Sequence, residues 1–373
     1  LLEILFEPNS YFFWIIIIGL IAIAISVISR PFSTYVKFVY PNAKFEAMGN
    51  PFITEKELSR VIDNKNLSDF KDALNSSKDY NVTGENIENV QKSLNAHLLN
   101  TIEMMRKDSS KKMDIFFDTY LEKLDMYLIK NSLKMYLEGK EIDQDIIKNS
   151  LLLKSKKFIE NLNNLDKEKL PDLIREYGFK DDVLETISHE KIDYLKLDNE
   201  IDKYMIDKLR SVKVPYKCES AKKEFINRYL DVNNLKNILR ANQFEYLQDA
   251  TLSLFLGEGQ EIAFWKFKEL SSIESVPQII SSLDGTSYYD GLKDKVEVYN
   301  KEKSVQIFES ALDQVYIKLI KDISLKEYVT IGPTIRFIVN KEFEIKNLKA
   351  ITKGIGEGLS SDFINKLLIK EVS

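Results

Sequence analysis

The side chains that could do chemistry in this 373-residue chain are mostly acids and lysines, and the most telling of them recur in one phrase. Asp231-Val232-Asn233-Asn234-Leu235-Lys236-Asn237-Ile238 and Glu344-Ile345-Lys346-Asn347-Leu348-Lys349-Ala350-Ile351 each read as an acid, an apolar residue, two polar residues and an apolar–Lys pair. A weaker copy, Asp125-Met126-Tyr127-Leu128-Ile129-Lys130-Asn131-Ser132, puts Tyr-Leu in place of the polar pair. Carboxylates can act as acid–base groups. The simpler reading of Asp231 and Glu344 is structural: an acid near a helix start that opposes the macrodipole, or that pairs with a lysine about one turn on.

The remaining chemical inventory is thin. His97 and His189 are the only histidines and Cys218 the only cysteine, so zinc-type ligand spacings are absent. His97 adjoins the apolar pair Leu94/Leu98, which suits a partly buried structural histidine, and His189 lies in a polar stretch that reads as surface. No G-x-x-x-x-G-K-[ST] cradle occurs. Gly354-Ile355-Gly356-Glu357-Gly358 misses G-x-G-x-x-G and sets an acid where a phosphate would sit, so it reads as a helix end or turn, like Gly257-Glu258-Gly259. No nucleophile, base and oxyanion donors converge; no catalytic residue, cofactor, metal ligand or small-molecule substrate is expected. The net charge of −5 is spread over interleaved lysines and acids, and with no basic stripe nucleic acid is not an expected partner.

The elements that would position the phrases are helices. Only 13 glycines and 8 prolines argue against a chain of hairpins and tight turns, and no long run alternates at period two. Leu94-Leu98-Ile102-Met105, Leu197-Ile201-Met205-Leu209 and Leu312-Tyr316-Leu319-Ile323 each form one apolar helical stripe. Two further marks accompany the phrase. Leu67-Ser68-Asp69-Phe70, Leu170-Pro171-Asp172-Leu173 and Val276-Pro277-Gln278-Ile279 open with Ser or Pro in a helix-starting position. Leu94/Leu98, Ile201/Met205 and Leu312/Tyr316 follow, always before the phrase. Three marks in one order, three times, with spacings of 103 to 113 residues, predict an all-α protein of three similar stacked units. The expected divisions are 34–150, 151–260 and 261–373, after an N-terminal segment 1–33.

That segment carries a different signal. No charge lies between Glu7 and Arg30, and Tyr11 to Ile28 is almost wholly apolar, long enough to cross a bilayer's hydrocarbon core. Tyr11 and Trp14 suit an interfacial belt, and Arg30-Pro31 is expected to close a transmembrane helix over about 11–29. Acidic Glu3 and Glu7 and the lack of an A-x-A-like site argue against a cleaved leader. Arg30, Lys37 and Lys44 all follow the span, so the C-terminal part is expected in the cytoplasm, on a single-pass anchor in the cell membrane.

With these residues in hand, a family resemblance emerges. Tyr40-Pro41-Asn42-Ala43-Lys44-Phe45-Glu46-Ala47-Met48 resembles the Y-x-N-A-R-x-R-A-M signature of the C subunit of archaeal A-type ATP synthases, which is related to the d subunit of eukaryotic V-ATPases. The stretch from Tyr229 through Asp231, Asn234 and Leu235 to Arg240 is similar to its central N-L-R-x-I-L-R phrase, and Glu344, Asn347, Leu348 and Gly354 fit its E-x-x-N-L-R-x-I-x-x-G. Lysine stands at 44, 236 and 349 where the family often has arginine, and the apolar span lies outside the usual soluble subunit. The resemblance implies three helical bundles in a pseudo-threefold funnel, seated on the membrane rotor ring and receiving the central shaft (D- and F-type subunits). The work would be mechanical coupling of ion-driven rotation to ATP synthesis. Read as extended chain, Arg30 to Tyr35 would leave a tether of roughly 15–20 Å between span and body, which suggests that the span descends into the ring's lumen. A membrane-tethered helical scaffold binding a partner helix or peptide explains anchor and helices but not the threefold repeat; an all-helical membrane-anchored transferase or lipid hydrolase lacks an acid or histidine cluster.

Overall fold

The computed structural model describes residues 11–49, 55–76 and 80–370. The early acids Glu3 and Glu7 lie outside the described residues. Among those described there are seven long α-helices, twelve shorter α-helices of 5–11 residues and two 3-10 turns of 3 residues, and no strand. The long helices are α1 (Tyr11–Met48), α2 (Ile87–Asp108), α3 (Asp114–Leu137), α4 (Tyr194–Ser211), α5 (Glu219–Gln243), α6 (Gln306–Lys326) and α7 (Gly332–Gly356).

The sequence marks sort onto these helices by type. The apolar stripes occupy α2, α4 and α6, and their residues are all buried. The recurring phrases occupy α3, α5 and α7. Each stripe helix packs against the phrase helix that follows it in the chain, and each phrase helix packs against the next stripe helix: α3 on α4, α5 on α6, and finally α7 back on α2. The contacts close a cycle. Burying both faces of each phrase helix explains why α5 and α7 show little amphipathic asymmetry and carry many buried polar side chains, each of which needs a partner.

The second mark opens short helices, with one adjustment. Leu67–Asn75 is capped by Asn66, whose side chain accepts from the Asp69 amide, so Ser68 lies inside the first turn. Val276–Ser281 is capped by Ser275, and Leu170–Tyr177 has Pro171 in its first turn, where its missing N–H costs nothing.

α1 departs from expectation. Arg30-Pro31 does not close it; the helix continues through Pro31 and Pro41 to Met48. Each proline removes one backbone bond without ending the helix. At 1.5 Å per residue its 38 residues make a rod of about 57 Å. Residues 30–35 are therefore helical, not an extended tether. The apolar window is wholly unburied, whereas Thr34, Phe38, Pro41, Asn42 and Phe45 form a buried stripe packed against α7 and α2. Phe45 stacks on Phe337 with ring centroids 5.1 Å apart.

Candidate functional site

No cluster of three His, Cys, Asp or Glu positioned for a metal occurs among the described residues. A cleft of about 400 Å³ beside the C-terminal end of α5, lined by Asn242, Tyr246, Leu247 and Ile279 among others, is open to solvent. His97 is half-buried and stacks on Tyr80 at 4.2 Å, and His189 is exposed. The chemistry is concentrated at the joints of the cycle, where the phrase residues sit.

Asp231 is fully buried in the middle of α5, so the helix-start reading does not hold. Its carboxylate accepts from the backbone amides of Glu261 (2.9 Å) and Ile262 (2.8 Å) and from the Tyr288 hydroxyl (2.8 Å). Burial raises its pKa above the usual carboxylate value against these donors. The loop that wraps it needs Gly259: a Cβ there would lie 1.8 Å from Asp231 Oδ1. Asp125 repeats the arrangement on α3, accepting from the amides of Leu151 (2.8 Å) and Leu152 (2.9 Å) and from Ser155, which lies 3.5 Å from the Tyr177 hydroxyl. Glu344 on α7 is also fully buried but is met by Tyr80 and by Lys341, one turn earlier. In all three joints a tyrosine from the segment leading into the next stripe helix approaches the phrase acid.

Three residues after the acid, the phrase asparagines act as two-way clamps. Asn234 donates to Gly257 O (3.0 Å) and accepts from the Leu256 amide (2.9 Å). Asn347 donates to Ile369 O (2.6 Å) and accepts from the Ile369 amide (3.0 Å). An amide carries both a donor and an acceptor, so Asn alone satisfies two backbone groups of one segment. Leu128 stands at this position in α3, which explains the weaker copy. Leu235 and Leu348 fill the core beside the clamps. Gly354 is needed for close packing, since a Cβ there would meet Ile364 at 2.6 Å.

Five and nine residues after the acid, cations reach across to the next stripe helix. Lys130 pairs with Asp202 and Lys134 with Asp198, each at 2.6 Å. Lys236 pairs with Asp313 at 2.5 Å, and Arg240 grips Glu309 with two bonds of 2.6 and 2.8 Å. Burial alone would raise the Asp313 carboxyl, but Lys236 and Lys346 hold it below its ordinary value. At the α7–α2 seam the same positions are Lys349 and Lys353, facing a helix on which Asn95 and Gln91 replace the acids. Asn95 turns instead to Asn149 Oδ1 at 2.8 Å, and Gln91 reaches only the Lys349 carbonyl. Lys353 lies 3.9 Å from Glu357 of its own helix; burial pulls the Lys349 ammonium down to about 8.

The Y-x-N-A-R-x-R-A-M-like signature on α1 fixes that helix to the cycle. Asn42 is buried and donates to the carbonyls of Tyr328 (2.8 Å) and Thr330 (2.9 Å), in the turn between α6 and α7, while Lys44 pairs with Asp108 at the end of α2 (2.7 Å). Met48 packs against the core; Tyr40 and Ala43 are exposed and make no such joint.

One convergence lies outside the sequence expectations. Two residues before each phrase acid stand Lys123, Tyr229 and Glu342, and the three meet where the phrase helices converge. Lys123 Nζ lies 2.7 Å from Glu342 and 5.2 Å from the Tyr229 ring centroid, and Tyr120 donates to the same Glu342. Their shared offset is the signal that could have found them; their unlike residue types hide it.

The class of the protein follows from its similarity to known ones. The family model for the ATP synthase (C/AC39) subunit matches residues 41–367, and the chain belongs to that family. It is 30% identical over 368 residues to the C subunit of the A-type ATP synthase of Methanobrevibacter smithii, covering 95% of this chain and 93% of that one. The same subunit of Methanocaldococcus jannaschii is 30% identical over 358 residues (89% and 86%), and that of Pyrococcus abyssi 25% over 341 residues (90% of each). The chain is thus a subunit of the A-type ATP synthase. The M. smithii match leaves unmatched about 5% of 373 residues, roughly 19, so it runs into the apolar segment that precedes Ser29.

Proposed function

We propose that this chain is a non-catalytic rotor subunit of the central stalk. It would couple the membrane ring of proteolipid subunits to the D- and F-type shaft subunits, so that ion-driven rotation supports ATP synthesis. The observation that carries this reading is the closed cycle of three helix pairs, locked by equivalent buried joints and meeting at Lys123, Tyr229 and Glu342. A part that passes torque needs rigid, mutually braced elements, and buried, hydrogen-bonded polar joints supply that rigidity.

The membrane side of the reading rests on α1. Its unburied apolar half would span the bilayer, with the cycle of helices on the cytoplasmic side, where Arg30, Lys37 and Lys44 lie. Because α1 continues as one helix into its buried stripe, span and body would turn together. A body seated on the ring's axis then favours a span inside the ring's lumen over one in the surrounding lipid, where the stator would block each turn.

Two experiments test the proposal. Purified in detergent through a tag on this chain, the preparation should contain ATP-hydrolysing subunits; a chain that always purifies alone would favour the tethered scaffold. Photo-cross-linkers at Ile17 or Ala22 should capture the ring's inner helices. Capture of stator or outer-lipid neighbours alone would reject the lumen placement.

A further inference from the structure

Arg30 is the first charged residue after the apolar stretch, and its guanidinium carbon lies 4.7 Å from the centroid of the Tyr216 ring. Tyr216 belongs to the turn 212–218 that joins α4 to α5. Lys217 Nζ lies 5.6 Å from the same centroid, so two cations share one ring. Arg30, Lys213, Tyr216 and Lys217 are all exposed. No carboxylate pairs with Arg30, Lys213 or Lys217 among the described residues, and the adjacent Glu219 is engaged by Lys222 at 2.6 Å. The turn between α6 and α7 instead meets α1 at Asn42, twelve residues or about 18 Å farther along the helix. The basic turn is thus held beside the point where the apolar stretch ends.

We propose that Arg30, Lys213, Tyr216 and Lys217 form a site for the phosphate of an anionic lipid headgroup. The inference rests on the reading of α1 as a membrane span, because the headgroup layer begins where the apolar residues stop. A guanidinium offers a phosphate two parallel donors, and the two ammonium groups add point charges. Tyr216 keeps an apolar ring at that boundary with its hydroxyl available to water, as interfacial tyrosines do. The cluster would fix the depth of the span relative to the headgroup layer.

The test uses the full chain in phosphatidylcholine vesicles that contain phosphatidylglycerol, with bromine near the headgroup end of one lipid or the other. The chain has two tryptophans, Trp14 in the apolar stretch and exposed Trp265. The W265F variant reports the span through Trp14, and W14F/W265F/Y216W reports the turn. With the Y216W reporter, quenching by brominated phosphatidylglycerol should exceed that by brominated phosphatidylcholine about twofold at equal mole fraction. Adding K213E and K217E should erase the difference. Equal quenching by the two lipids, or none while Trp14 is quenched, overturns the headgroup site and leaves the span standing. If Trp14 itself escapes quenching, the span reading fails and the site fails with it.

Discussion

At the seam between α3 and α4, and again between α5 and α6, two cations about one turn apart meet two acids about one turn apart. Where α7 returns to α2 the cations remain, as Lys349 and Lys353, but Asn95 and Gln91 stand in place of the acids. The first two seams join long helices that follow one another in the chain. There the phrase acid also captures the first amides of the incoming segment, at Leu151/Leu152 and Glu261/Ile262. The third seam has no chain to bring its halves together, and its acid depends on Tyr80 and Lys341. Equivalent positions have kept their geometry and lost their charge balance at the one seam that closes non-covalently.

Substitutions at the seams test this contrast. The largest effect is expected at the loop around Asp231. Gly259→Ala forces a methyl group into the carboxylate and should cost roughly 3 kcal/mol or more in denaturant unfolding; a loss under about 1 kcal/mol would mean that the loop yields and the joint is soft. Lys236→Met leaves the buried Asp313 with only Lys346, at 3.5 Å, and should cost about 3 kcal/mol. Lys349→Met at the third seam should go the other way, stabilising by about 1 kcal/mol, because it removes a half-buried charge that forms no ion pair among the described residues and feels only the more distant pull of Asp125. The smallest change comes from rebuilding the seam: Gln91→Glu with Asn95→Asp should gain about 0.5 kcal/mol. Opposite signs at Lys236 and Lys349 are the signature of the contrast, and equal losses at both would erase it.

The same seam predicts a pH dependence. The folded pKa of Lys349, about 8, lies below the 10.5 of the free side chain. Between these values the unfolded chain holds more protons at this site than the folded one, so its contribution to stability should improve as pH rises from about 8 towards 10.5. Below pH 8 its cost is fully present. Melting temperatures of wild type and Lys349→Met should therefore converge across that interval, and curves that stay parallel would show that Lys349 does not titrate there.

Much of this was legible in the sequence because its marks recur in one order, and stripes and phrases fall on alternate helices of the cycle. The apolar stripes mark α2, α4 and α6, and the phrases mark α3, α5 and α7. The partners of the phrase acids were not legible: a mid-helix Asp that accepts backbone amides looks, in one dimension, like an ordinary surface acid. Lys123, Tyr229 and Glu342 share an offset but no chemistry, so only proximity reveals them. Pro31 reads as a stop in the sequence because proline usually ends a helix, whereas here α1 continues into a stripe that buries Phe38 and Phe45.

A rotor subunit turns with the shaft. The single native thiol, Cys218, is buried, and burial pushes its pKa up to about 12, so a new surface thiol can be labelled selectively. Asp166→Cys, at an exposed position, can carry a gold bead on a complex immobilised through its catalytic head. On addition of ATP the bead should rotate in one direction in step with a probe on the shaft. A bead that stays still while the shaft turns would rule out the rotor role.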